Sequence, residues 1–320
     1  MRSRQAQIGQ AADALAAGKR PRMSGIARKE AIAGYIAISP WLLGFLIFQL
    51  APILAAFYIS STEWRILSAP EFIGVRNFDK LLFKDDLFWE SIKVTVIYVI
   101  FRVPVSAVLS LALALLMNQQ LAGRRLFRTI YYLPAVIPLV AVSMMWIWIF
   151  NPEYGVLNSF IRLFGVEGPQ WIHSSRWALP ALIIMSLWQV GTGMVIFLAG
   201  LQGIPAHLYE AATIDGANTW QRFLKVTLPM LSPVVLFALV MNVIGSFQIF
   251  TQAYIMTAGG PGNATLFLVL YIYRNAFEWF HMGYASALAW VLFVVVLVIS
   301  LAMLRSSEHW VHYEGRIGGA

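Results

Sequence analysis

Residues 284–304 read YASALAWVLFVVVLVISLAML, and this run contains no charged side chain. As a helix, which rises about 1.5 Å per residue, it is long enough to cross a hydrocarbon core of roughly 30 Å. Five further apolar runs precede it, giving six predicted membrane spans at 35–59, 92–117, 130–150, 178–200, 232–256 and 284–304. The predicted fold is therefore all-α, a polytopic membrane protein with six transmembrane helices.

The composition of the whole chain agrees with this interpretation. Of its 320 residues, 59% are hydrophobic and 12% are charged, and the mean hydropathy is +0.70. A soluble domain carries about a quarter charged residues. The net charge of +8 would suggest nucleic acid binding in a soluble protein, but basic loops also orient membrane proteins. Because the sequence contains no Cys, disulfides, thiol nucleophiles and zinc–thiolate sites are excluded.

The distribution of Lys and Arg predicts the orientation in the membrane. One alternating set of segments holds 14 basic residues: 1–34, 118–129, 201–231 and 305–320. The other set holds 7: 60–91, 151–177 and 257–283. The richer set is expected on the cytoplasmic side, so both termini face the cytoplasm. The expected domains are a cytoplasmic tail at 1–33, a six-helix transmembrane domain at 34–305, and a second cytoplasmic tail at 306–320.

The segment between predicted spans four and five, residues 205–229, reads PAHLYEAATIDGANTWQRFLKVTLP. Pro205 suits the first turn of a helix, where its missing N–H is not needed. Residues 206–214 are compatible with a helix, and Gly216 can adopt the left-handed conformation that ends one. The first half of the segment is therefore predicted to be a short helix followed by a tight bend.

The second half of the same segment predicts another short helix. Asn218 or Thr219 can cap its start, and Pro229 is expected to stop it. The product would be two short helices presented at the membrane surface. From physics alone, an amphipathic connector lying in the membrane interface explains the pattern as well as a docking element does.

The amino-acid sequence of this segment resembles the EAA loop of permease subunits of binding-protein-dependent ABC importers. The matching residues are Glu210, Ala211, Ala212, Asp215, Gly216, Leu228 and Pro229. Three other stretches resemble the maltose-type sugar branch of that family: 72–78, 132–138 and 259–262. The resemblance extends over about residues 30–305.

The resemblance implies the type I ABC importer permease fold, in a bacterial-type inner membrane. It also implies that 205–229 is a coupling loop, whose matching residues dock into a cytoplasmic ATPase. The implied partners are a second homologous permease, two ATPase subunits that carry ATP and Mg, and an external solute-binding protein that delivers a sugar. Glycerol phosphate or another polar solute is an alternative cargo for the same architecture.

The sequence offers no energy source of its own. It contains no G-x-x-x-x-G-K-[ST] phosphate-binding loop. No Asp or Glu falls within the six predicted spans, whereas coupling to protons or sodium usually requires carboxylates at membrane depth. A membrane-embedded enzyme would also need acids or histidines there. We therefore expect a non-enzymatic transport subunit without a cofactor, although a membrane scaffold is a further alternative.

Sugar recognition requires hydrogen-bonding groups and aromatic faces within the spans. Candidates for the substrate path in spans four and five are Trp188, Gln189, Asn242, Ser246, Gln248 and Gln252. The pairs Asn242–Ser246 and Gln248–Gln252 have i, i+4 spacing, which predicts a shared helix face. The alternative role for such residues is interhelical hydrogen bonding. The maltose-type resemblance also leaves open that the partner permease holds the main sugar site.

The sequence contains two further features of interest, an arginine within a predicted span and a pair of histidines. Arg102 lies deep in predicted span two, where a charge is costly; it either faces a cavity or a partner, or it reaches outward to the membrane surface. His309 and His312 are three residues apart but have no further metal ligands near them in sequence. We therefore expect no metal site.

Overall fold

The structure is a computed structural model that describes residues 25–119 and 122–312. It is almost entirely helical, in agreement with the predicted all-α class. The helices in chain order are α1 Gly25–Phe45, α2 Ala51–Ser60, α3 Arg76–Phe83, α4 Asp86–Asn118, α5 Arg124–Val136, α6 Leu139–Ile149, α7 Val156–Arg162, α8 Ala178–Leu187, α9 Gly191–Gln202, α10 Ala206–Ile214, α11 Thr219–Arg222, α12 Leu228–Phe247, α13 Thr251–Met256, α14 Leu268–Tyr273 and α15 Met282–Ser306. Two short antiparallel strands, β1 Thr62–Glu63 and β2 Glu71–Phe72, form the sheet within the described residues.

The chain divides into two compact units, Met1–Tyr58 and Ile59–Ala320. In the first unit, α1 continues through a π-helical segment, Leu46–Leu50, into α2. Residues 25–33, predicted as part of the N-terminal tail, are helical and continue into the helix of the first predicted span. The rest of that predicted tail, residues 1–24, lies outside the described residues, as do residues 313–320 of the C-terminal tail.

Four helical stretches of the described chain are long and apolar enough to cross a membrane: Arg28–Ser60, Asp86–Asn118, Thr219–Phe247 and Met282–His309. Two bent helix pairs, α5 with α6 and α8 with α9, bring the number of spans to six if each pair is one span. The structure therefore accommodates six spans, with two of them broken. This is a polytopic membrane architecture.

The third predicted span, 130–150, is wrong as a single straight helix. α5 and α6 meet at an angle of 98°. The break falls at Ile137, which has extended geometry with φ −72° and ψ 133°. The residue before a proline is disfavoured in the α region, and Pro138 follows directly. The fourth span bends by 43° between α8 and α9.

The fifth predicted span, 232–256, is also corrected. One helical stretch, Thr219–Phe247, joins α11 and α12 through the π-helical segment Phe223–Thr227. Pro229 therefore does not stop a short helix. The π segment has already shifted the hydrogen-bond register, since Leu228 N donates to the Phe223 carbonyl, and such local adjustments let membrane helices tolerate proline. The span ends at Phe247, and α13 is a separate helix.

The packing of α4, α9 and α12 positions the site described below. Buried side chains on the three helices form one cluster, which includes Ala114, Phe197 and Leu231. The helices approach closely because Gly200 of α9 faces Val234 of α12, and a Cβ at Gly200 would lie 2.9 Å from a Val234 methyl carbon. A larger cluster, containing Phe88, Trp146, Leu182 and Phe267, joins α4, α6 and α8 to the start of α14.

Candidate functional site: a polar cavity and an exposed helical segment

A cavity of about 340 Å³ opens among α4, α9 and α12. Its polar wall is formed by the side chains of Arg102, Ser106, Gln189, Thr192 and Asn242. Glycine and apolar residues, such as Gly193, Ile196 and Met241, form the remainder. The cavity thus offers guanidinium, hydroxyl and amide groups.

Arg102 lines this cavity, which decides between the two roles that the sequence left open. Its Nη1 donates to Ser246 Oγ at 2.7 Å and to Asn242 Oδ1 at 3.1 Å. Both acceptors belong to α12, so the guanidinium bridges α4 and α12. It does not reach outward to the membrane surface.

Asn242 and Ser246 share one face of α12, as their i, i+4 spacing predicts. Ser246 Oγ donates to the Asn242 carbonyl oxygen at 2.6 Å, and Asn242 Nδ2 donates to the Ala238 carbonyl oxygen at 2.8 Å. These bonds fix both side chains with an oxygen directed at Arg102. Asn242 and Ser246 therefore make the interhelical hydrogen bonds that the sequence analysis gave as their alternative role. Asn242 also borders the cavity.

Of the other four candidates for the substrate path, one lines the cavity and three do not. Gln189 lines the cavity and donates to the Pro134 carbonyl oxygen at 3.5 Å. Trp188 instead packs edge-on against Trp146, with ring centroids 6.2 Å apart. Gln248 and Gln252 do not share a helix face, because α12 ends at Phe247, before Gln248, and Gln252 lies on α13.

The sequence did not mark Ser106, and it left the role of Arg102 open between two alternatives. An arginine within a strongly apolar run is itself a visible signal of a cavity or a partner. The acceptors on α12 that fix its direction are 140 and 144 residues away in sequence, so only the fold shows them. No group of three or more His, Asp or Glu able to hold a metal occurs in residues 25–119 and 122–312.

The segment 205–229 begins, as predicted, with a short helix that ends at a glycine. Pro205 precedes α10 and Gly216 follows it with φ +76°. Ala217 N donates to the Ala212 carbonyl at 2.9 Å, and Gly216 N donates to the Thr213 carbonyl at 3.0 Å. This pair of bonds is a Schellman motif, which satisfies carbonyls at the helix end.

The second helix of the segment starts at a capping box. Gln221 N donates to Asn218 Oδ1 at 2.9 Å, and Asn218 N donates to Gln221 Oε1 at 2.8 Å. Asn218, rather than Thr219, is therefore the cap. The helix then runs on into the fifth span, so the prediction of two short helices is wrong for the second one.

The two helices are held together on one side. Tyr209 Oη and Thr227 Oγ1 lie 3.0 Å apart in a hydrogen bond, and Arg222 Nη1 donates to Thr213 Oγ1 at 3.3 Å. The remainder of α10 and the bend after it are largely exposed, with Glu210, Ala211, Asp215 and Gly216 open to solvent. Leu228 is also partly exposed, at 36%, whereas Pro229 and Ala212 are half-buried.

Two details of this exposed surface follow from the structure alone. Glu210 is the fifth of the nine residues of α10, so it lies mid-helix and not near the start. Its carboxylate is therefore free of the dipole effect of the first turn. Ile214, which sequence reasoning did not single out, is 87% exposed. An isoleucine left this open beside an acidic side chain offers an apolar contact to a partner.

Residues 106–309 match the family described as "Binding-protein-dependent transport system inner membrane component". The chain belongs to this family. The permease is 43% identical over 293 residues to the probable ABC transporter permease protein YesP of Bacillus subtilis (strain 168), a match that covers 90% of this chain and 94% of the relative. It is 38% identical over 236 residues to the sulfoquinovosyl glycerol transport system permease protein SmoG of Agrobacterium fabrum, covering 73% and 76%.

The fold comparison agrees with the family. A chain in the crystal structure of a bacterial alginate ABC transporter, in complex with an alginate pentasaccharide-bound periplasmic protein, superposes with a TM-score of 0.77. It is 26% identical, and the match covers 87% of this permease and 95% of that chain. The predictions of an ABC importer permease fold and of a transport subunit rather than an enzyme are confirmed.

Proposed function

We propose that this permease forms, with a second homologous permease, the path for a saccharide that an external solute-binding protein delivers. The observation that carries this proposal is the polar cavity among α4, α9 and α12. Its volume of about 340 Å³ falls in the range of roughly 300–1,000 Å³ typical of ligand sites. Hydroxyl, amide and guanidinium groups on its wall are the groups that hydrogen-bond sugar hydroxyls.

Similarity to saccharide permeases supports the same cargo class. The relatives and neighbours are named for sulfoquinovosyl glycerol and for the acidic polysaccharide alginate. In this proposal Asn242 and Gln189 contact the sugar, while Ser246 positions Arg102. The cavity wall does not include Trp188, Gln248 or Gln252.

We also propose that ATP hydrolysis drives import through contacts of the ATPase with the segment 205–229. Its exposed residues Glu210, Ala211 and Ile214 form a surface on which one of two cytoplasmic ATPase subunits docks, and those subunits bind ATP and Mg. The Glu210 carboxylate provides a charged anchor, Ala211 allows close approach, and Ile214 adds apolar contact. The remaining matching residues, Ala212, Asp215, Gly216, Leu228 and Pro229, shape the segment.

This arrangement requires the segment 205–229 and both termini on the cytoplasmic side, as the distribution of Lys and Arg predicts. The sequence contains no Cys, so single cysteines report their location. Val75, which is 75% exposed, is proposed to be external. In intact cells a membrane-impermeant maleimide should label Val75→Cys and leave Glu210→Cys unlabelled. Labelling of Glu210→Cys without permeabilisation would contradict the orientation.

The function is tested by reconstituting the permease with its partner permease, the ATPase subunits and the binding protein in vesicles. We expect a labelled saccharide to accumulate only when both ATP and the binding protein are present. Asn242→Ala should lower that accumulation, since it removes an amide from the cavity wall. Gln248→Ala is the matched control, because it removes an exposed amide outside the cavity. Accumulation of no saccharide, or equal effects of the two variants, would contradict the proposal.

A further inference from the structure

Arg102 is the single charged group among the residues that line the cavity. Arginine is permanently charged in proteins, so this part of the wall carries a full positive charge. Asn242 and Ser246, its two side-chain acceptors, are neutral. They orient the guanidinium and leave its charge uncompensated.

No acidic side chain neutralises Arg102 within the described part of the chain. The two ion pairs found in residues 25–119 and 122–312 join other residues, Lys84 to Asp79 and Arg274 to Glu278. α8, α9 and α12 contain no Asp or Glu, and the acids of α4 are Asp86 and Glu90 near its start. Glu90 precedes Arg102 by 12 residues, or about 18 Å along a helix.

The guanidinium also keeps unused donors. Nη1 makes the hydrogen bonds to Asn242 and Ser246, whereas Nε is buried without an acceptor among the described residues. A buried donor without a partner costs free energy, and arginine pairs best with a planar two-oxygen anion that engages two of its N–H groups. An anion that enters the cavity would give the guanidinium the counter-ion that the described residues do not supply.

We propose that the cargo of this permease is an acidic saccharide, and that Arg102 recognises its carboxylate during passage. This proposal rests on the proposed saccharide import and adds the charge of the cargo to it. Ser246 acts as a positioning residue that holds the guanidinium toward the cavity, and Asn242 does so in addition to its proposed contact with the sugar. A neutral sugar would leave the positive charge in the cavity without a counter-ion, whereas a uronate unit supplies one.

A purely structural arginine is the competing explanation. A bridge between α4 and α12 would be satisfied by the Nη1 bonds alone and would not require the guanidinium to border a cavity. The two explanations differ in one measurable property. Only recognition of an anion makes the effect of Arg102 depend on whether the cargo is charged.

The test uses the complete reconstituted transporter and a panel of disaccharides of galacturonate, glucuronate and mannuronate. Each is compared with its neutral counterpart, in which the carboxyl groups are reduced to alcohols. We expect the wild type to import at least one acidic member in preference to its neutral counterpart. Arg102→Gln should lower that uptake by about 10- to 100-fold, the factor expected for losing a hydrogen bond to a charged group.

Two variants make the comparison specific. Arg102→Lys keeps the charge but loses the planar fork, so its uptake should fall between those of the wild type and Arg102→Gln. Lys93→Gln removes a positive charge from an exposed position of the same helix, outside the cavity wall. It should import the acidic disaccharide as the wild type does.

The outcomes distinguish this inference from the function on which it rests. Import of neutral members in preference to acidic ones, or wild-type import of the acidic member by Arg102→Gln, overturns the inference and leaves saccharide import standing. If Arg102→Gln does not assemble, the preference of the wild type between the paired disaccharides decides alone. Failure to import any saccharide, acidic or neutral, contradicts the proposed function itself.

Discussion

The carboxylate of a single residue, Asp85, accepts hydrogen bonds from three parts of the chain. Its Oδ1 accepts from Phe88 N at 3.1 Å and so caps α4. Its Oδ2 accepts from Tyr271 Oη at 2.6 Å and also from Tyr284 Oη. Burial, together with the hydrogen bond to Asp85 and its charge, raises the pKa of Tyr271. The Tyr271 phenol therefore remains protonated and a donor at neutral pH.

Asp85→Ala should lower the free energy of unfolding by about 2–4 kcal/mol, since it removes a helix cap and leaves two phenol groups without their acceptor. Thermal unfolding of the purified permease in detergent measures this. Asp86→Ala is the matched control, because Asp86 is an exposed carboxylate in the first turn of the same helix. It should cost less than about 1 kcal/mol. Equal losses for the two variants would show that the hydrogen bonds to Asp85 contribute little.

For individual residues, the sequence predicted features that depend on near neighbours in the chain, but not contacts between distant segments. The left-handed Gly216 and the Asn218 cap follow from residues within a few positions of each other. The direction of Arg102 depends on α12, which only the fold brings near. The sequence could therefore mark Arg102 as unusual without deciding what it faces.

Among the helices, the start of α9 lies unusually close to α5. A Cβ placed on Gly191 would overlap the carbonyl oxygen of Tyr131 and would lie 2.9 Å from the Tyr132 Cα atom. Because those neighbours are backbone atoms, they cannot move aside as a flexible side chain can. The absence of a side chain at Gly191 thus permits the bend between α8 and α9 to pack against α5.

Gly191→Ala should therefore separate these helices and destabilise the permease by about 1–3 kcal/mol. Gly245→Ala is the control, since Gly245 lies inside α12 and a Cβ added there would have no atom within 4 Å. That substitution should be neutral or stabilise by up to about 1 kcal/mol, because alanine favours a helix. Thermal unfolding in detergent compares the two, and a stable Gly191→Ala variant would contradict the close packing of α9 on α5.

The helix boundaries show why an apolar run alone predicts a span but not its shape. Residues 130–150 are apolar enough to cross a membrane whether or not the helix is straight. The break at Ile137 depends on Pro138, whereas Pro229 sits in a helix that continues past it. The same residue type has opposite outcomes because a π segment precedes Pro229 and an extended residue precedes Pro138.

At the scale of the whole molecule, the polar cavity and the exposed segment 205–229 lie on connected elements. α9 leads from the cavity wall to α10, and the helix of the fifth span returns from the segment to Asn242. A displacement of the segment by an ATPase would therefore act on both α9 and α12. The sequence indicated the family because the motif in residues 205–229 is continuous, whereas the cavity is assembled from three separated helices.

Coupling of the ATPase through this segment is tested most directly at Gly216. Its φ of +76° strains a β-branched side chain, while no atom lies within 4 Å of a Cβ there, so Gly216→Val acts through the backbone and not through a clash. Gly216→Asn is the control, because Asn tolerates a left-handed conformation.

The measurement is saccharide uptake beside saccharide-stimulated ATP hydrolysis in vesicles that contain the complete transporter. We expect Gly216→Val to insert into the membrane but to lose uptake by about tenfold or more, with the ATPase either released or hydrolysing ATP without transport. Gly216→Asn should retain most of the uptake. Normal uptake per ATP hydrolysed by Gly216→Val would contradict the coupling role of residues 205–229.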